Sequence, residues 1–162
     1  MVIDDAKLSG YLGNHLMAAE SGVRLFGAAE QTWKGTAFEP VLAGLHRDIV
    51  EDRNDLAALI GSLGYTLGTA KTALAWVGGQ LSKAGPLNPL RMSKGMAGQF
   101  ELEALQSAVH GKESLWTSLL ALSQFDDRLD PKKLQRLKDR AGTQQDQLAE
   151  IMDRTISERF GT

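Results

Sequence analysis

The chain has 162 residues, with 18 lysines and arginines, 20 aspartates and glutamates, and no cysteine. That length can bury a substantial core without staples, and the missing cysteines exclude disulfides, iron–sulfur ligation and a cysteine nucleophile. A formal net charge of −2 gives no broad electrostatic footprint for nucleic acid, and no apolar run approaches the ~20 residues that cross a bilayer. The opening residues, MVIDDAKLSG, lack the charged-then-apolar pattern of an export signal. The expectation is a soluble cytoplasmic protein with neither nucleic-acid nor membrane partners.

Asp4 or Asp5 can cap a first helix, expected over 5–34. Leu8, Leu12, Leu16, Ala19, Val23, Phe26 and Trp33 recur at the three- and four-residue steps of one buried face, and Gly35 ends it. Thr36 followed by Glu39 reads as a capping box opening a second helix over 37–63. Its stripe runs Phe38, Leu42, Leu45, Ile49, Asp52, Leu56, Leu59 and Leu63, with Asp52 the single non-apolar member. Gly64 then suits a left-handed cap.

A shorter helix is expected over 66–84, inside a crossover at 65–94 that closes with the glycine- and proline-rich stretch GPLNPLRMSKGMAG. The third long helix is expected over 95–124, with Leu102, Leu105, Val109, Glu113, Trp116 and Leu120 as its stripe. Residues 125–129 make a turn. Asp130-Pro131 then starts a fourth helix, over 131–160, through Leu134, Leu137, Ala141, Gln144, Leu148, Met152 and Ile156. No strand pattern competes, no fixed-period repeat appears, and the chain reads as a single all-α domain.

Each stripe carries a polar residue near its middle: His15 or Glu20, Asp52, Glu113, and Gln144 or Gln145. A bundle that is apolar at both ends and polar at mid-height is where helical proteins build metal or cofactor sites. The connections give the order of the helices. Two short turns make two hairpins of antiparallel neighbours. The ~30-residue link between them is long enough to run beside a helix of ~27 residues, ~40 Å at 1.5 Å per residue, which leaves the second and third long helices parallel.

Two hairpins, the long crossover, and LHRDIVEDRNDLAALIGSLG at 45–64 together resemble the ferritin-like superfamily, small bacterial domains in particular. The resemblance covers most of residues 5–160 as architecture. It implies a four-helix bundle and a di-metal centre built from carboxylates on two helices and a Glu-x-x-His pair on each of the other two. Glu51, however, is followed at three residues by Asn54, and no glutamate in the chain has histidine three residues on; His110-x-x-Glu113 is the reverse order. The leading expectation is therefore a non-enzymatic bundle without a cofactor, working through a protein surface and dimeric. The alternative is an atypical iron, manganese or zinc site made from His15, Glu20, Asp52 and Glu113. Asp52 then decides between the two, because an unpaired buried carboxylate is costly; Arg53, Arg24, His15 or another subunit are its expected partners, and Lys112 or His110 those of Glu113.

Two further stretches stand out. Lys132 to Arg140 holds five basic residues and reads as a solvated helix face. Met92, Met96 and Phe100 follow the crossover and read as core filling, or as the lining of a small-molecule pocket.

Overall fold

The computed structural model describes residues 2–66 and 94–161. All but the first residue of the short helix expected over 66–84, together with Met92 and the side chain of Met96, lie outside the described residues. Within them the chain is all-helical and has no strand. The helices are α1 (Asp5–Thr32), α2 (Glu39–Ser62), α3 (Lys94–Leu122) and α4 (Pro131–Phe160).

The ends follow from local chemistry. Asp4 adopts extended backbone and its Oδ1 accepts from the amides of Ala6 and Lys7, both at 3.1 Å, satisfying two of the first turn's free donors. Asp130 does the same for Lys132 and Lys133 at 2.9 and 3.3 Å, with Pro131 supplying a preset φ at the first helical position. Gly35 and Gly64 take φ of 80° and 76°, the left-handed region that a β-carbon disfavours. The capping box at 36–39 does not form as read. α2 starts at Glu39 with Phe38 as its cap residue and no side-chain cap. Thr36 Oγ1 accepts from the Phe38 amide at 3.2 Å, and Glu39 Oε2 reaches back past Thr36 to the Gly35 amide at 2.6 Å. Pro40 explains the shift: its ring fits the first turn of a helix, which places the start immediately before it.

One core unites the four helices. Leu12 and Phe26 of α1, Leu42, Leu45 and Leu56 of α2, Leu102, Leu105 and Trp116 of α3, and Leu148 and Ile151 of α4 are all buried. Full burial of each such side chain stabilises the fold by about 1.5–3 kcal/mol. α1 packs on α2 and α3, and α4 on α3 and α2. Specific pairs set the register: Glu30 with His46 and Glu20 with Arg53 between α1 and α2; Lys112 with Gln144 and Glu113 with Gln145 between α3 and α4. At one end of the helices the Trp33 indole donates to Glu101 at 2.9 Å. At the other, Arg128 clasps Asp126 and Asp5, and Tyr65 donates to Asp5.

Candidate functional site

The middle of the molecule holds a buried charge cluster centred on Asp52. Helical spacing puts Asp52 on the same inward face as Leu45, Ile49 and Leu56, and it is only 2% exposed. Four donors meet its two oxygens. Oδ2 accepts from Lys112 Nζ and from Gln144 Nε2 at 3.1 Å; Oδ1 accepts from Arg140 Nε at 2.8 Å and from Arg140 Nη2. Gln144, 1% exposed, accepts the Lys112 ammonium at its own Oε1. Arg140 extends the cluster outward to Asp55 at 3.0 Å and Glu51 at 3.4 Å, and Lys133 meets Asp55 at 3.2 Å. Three helices thus converge on one carboxylate whose acceptor sites are used, which is the condition under which a buried charge is tolerated.

The electrostatics of the two cations differ. Burial pushes the Lys112 amine below its ordinary value, with Asp52 opposing the shift. Burial also acts to lower Arg140, but there the carboxylates of Asp52 and Asp55 prevail and hold the guanidinium above its usual range. Arg140 is the permanent charge of the cluster.

The other sequence candidates lie apart from this point. Glu20 pairs with Arg53 at 2.7 Å, both partly exposed. Glu113 accepts from Gln145 and has His110 Nδ1 at 3.9 Å. His15 is half-buried, its ring edge-on to Tyr11 with centroids 4.6 Å apart, and desolvation lowers its pKa. Among the described residues no three carboxylate or imidazole groups gather as metal ligands would.

Several expectations change in detail. Asp52 is met by Lys112, Arg140 and Gln144, and not by Arg53, Arg24 or His15. On α3 the residue that enters the buried stripe is Lys112 rather than Glu113: Val109, Lys112 and Trp116 follow steps of three and four. The basic segment of α4 is not wholly a solvated face, since Lys133 and Arg140 turn toward the acids of α2. Arg140 carried a readable signal, being three residues after Leu137 and four before Gln144, on the margin of the apolar stripe.

Beside the cluster, α1, α2 and α3 enclose a cleft of ≈ 270 Å³. Its walls are almost wholly apolar. Ala18, Ala19 and Gly22 of α1 and Ala108 and Gly111 of α3 leave the space, with Phe26, Ile49, Leu56, Leu115 and Trp116 behind them. His15, Asp52, Arg53, Ser107 and Lys112 supply its polar groups. In the described residues His15 makes no hydrogen bond, and two lining residues each hold a covered N–H without an acceptor, Arg53 Nε and Trp116 Nε1.

Among the described residues no helix is long and apolar enough to cross a membrane. Comparisons with protein-family models, curated proteins and solved structures find no match.

Proposed function

We propose that this chain is a ferritin-like bundle in which a buried ion-pair cluster stands where the superfamily builds its di-metal centre, and that it works by binding rather than by catalysis. The topology is supported by the register pairs. Along α1 and α2 the contacts run in opposite senses, from Glu30 with His46 to Glu20 with Arg53. In α3 and α4 they run from Gly98 beside Arg159 to Lys112 with Gln144. Tyr65 lies at the Asp5–Arg128 end and Gly98 at the Trp33 end, so α2 leaves and α3 begins at opposite ends. Two antiparallel hairpins with α2 and α3 parallel is the single-crossover arrangement.

The observation that carries the reading is the occupancy of Asp52. A di-metal site needs free carboxylate lone pairs facing one another. Here Lys112 and Arg140 place two cations against Asp52, Glu113 is turned to Gln145, and the only nearby imidazoles, His15 and His110, lie outside the cluster. The residues present do not fit a metal pair. Elemental analysis of protein purified without chelators tests this. The expected result is substoichiometric iron, manganese and zinc; stoichiometric metal that is lost in Asp52→Ala contradicts it.

A surface suited to a second copy or a protein partner lies at the end where α3 begins and α4 finishes. Phe100, Ile156 and Phe160 are 39%, 41% and 61% exposed there. Light scattering on the wild type and on Phe160→Asp reads the outcome: a dimer weakened by the charge supports this face, and a concentration-independent monomer removes the dimer from the reading.

A further inference from the structure

We infer that the cleft between α1, α2 and α3 is a binding site for a small apolar carboxylate, with the hydrocarbon between α1 and α3 and the carboxylate toward Arg53. The space is not a packing accident at one residue. It arises where small side chains on both helices coincide, Ala19 and Gly22 facing Ala108 and Gly111, and a β-carbon at Gly111 would have no neighbour within 4 Å. Close-packed interiors seldom leave so much room, and a cavity of ~150 Å³ already accepts benzene. At ≈ 270 Å³ this one suits a two-ring aromatic or a medium-length alkyl chain.

The polar chemistry selects the head group. Arg53 and Trp116 both line the cleft and each holds an unpartnered N–H, Nε and Nε1, covered by its neighbours rather than open to the cleft, so the Arg53 guanidinium terminus is the donor within a ligand's reach. Arg53 spends one terminal nitrogen on Glu20 at 2.7 Å, and its other terminal nitrogen meets no partner among the described residues. Asp52 is saturated by its own donors and does not compete for a cationic ligand. A ligand that meets this guanidinium brings acceptor oxygens, and a carboxylate gains a charge-assisted bond from it. The inference is independent of the metal question, since the residues that form the apolar walls are not those that saturate Asp52.

Titration of the full chain with 2-naphthoate, naphthalene and 2-naphthylmethylamine, followed by calorimetry, tests both halves. The expected order is naphthoate tighter than naphthalene by about tenfold, the scale of one charge-assisted hydrogen bond, with the amine weakest. Gly111→Leu and Ala108→Leu, each shown to be helical by circular dichroism, fill the cleft and lose naphthoate binding. Arg53→Met retains naphthalene and loses the preference for naphthoate. Naphthoate binding that persists in both filled variants, or no binding of any probe to the wild type, overturns the site. Equal affinity for naphthoate and naphthalene, or a tighter amine, overturns the assignment of its head group.

Discussion

Asp52→Ala is the perturbation with the largest consequence. It deletes the acceptor of four hydrogen bonds and strands Lys112, whose side chain is 13% exposed, with only the Gln144 oxygen. Removing one member of a buried ion pair costs about 3–5 kcal/mol. The lower end applies here, because Arg140 is 29% exposed and keeps Asp55 and Glu51. A loss of ~3 kcal/mol is a large part of the ~5–15 kcal/mol by which domains are stable. It shifts the urea midpoint by about 1–3 M at the typical slope of about 1–3 kcal/mol per molar urea. Lys112→Met alone leaves Asp52 with Arg140 and Gln144 and costs less. In the double variant the stranded ammonium is gone, so it is more stable than the two single effects predict by at least ~1 kcal/mol, a coupling expected of groups in contact. Urea denaturation of the four proteins, read by far-ultraviolet circular dichroism, measures the cycle. A loss below ~1 kcal/mol in Asp52→Ala, or additivity within ~0.5 kcal/mol, refutes the account of the cluster.

Two further outcomes follow from the surface and the helix ends. The Arg128 hydrogen bond holds Asp126 below its ordinary pKa of 3.8, and bonds from Tyr65 and then Arg128 do the same for Asp5. A depressed folded-state carboxyl stabilises above its unfolded value, and that contribution fades as pH falls through the folded one; melting temperatures below pH 3.8 should therefore fall less steeply in Asp126→Asn than in the wild type, and equal slopes count against the clasp. Glu20→Gln breaks a partly exposed pair with Arg53, so a loss of only ~0.2–1 kcal/mol is expected in the same urea assay, and a loss comparable to that of Asp52→Ala contradicts the central place given to Asp52.

The helices were legible because their signals are local. Stripe spacing, Asp4, the Asp130-Pro131 start and two left-handed glycines place the helix ends within two residues of those observed, Thr32 against residue 34 being among the largest differences. The capping box misled because Thr36 and Glu39 satisfy the pattern while Pro40 decides where the helix begins. Asp52 and Gln144 were legible as polar members of apolar stripes. Lys112 reads from the sequence as a partner of Glu113 and Arg140 as part of a solvated face, because most long basic side chains on a helix face water while a few reach inward from a stripe or its margin. Which charges meet depends on the rotation of each helix about its axis, and that is fixed by packing across α2, α3 and α4 rather than by any one segment. The cleft is a property of facing small residues on α1 and α3, far apart in sequence, and neither helix shows it alone.

The most direct test of the claim that Asp52 anchors an ion-pair cluster is a crystal structure from crystals soaked in manganese, with an anomalous difference map over the middle of the bundle. No peak is expected there, with Lys112 Nζ and the Arg140 guanidinium both in hydrogen-bonding contact with Asp52. A peak coordinated by Asp52, with Lys112 swung out of the core, would contradict it.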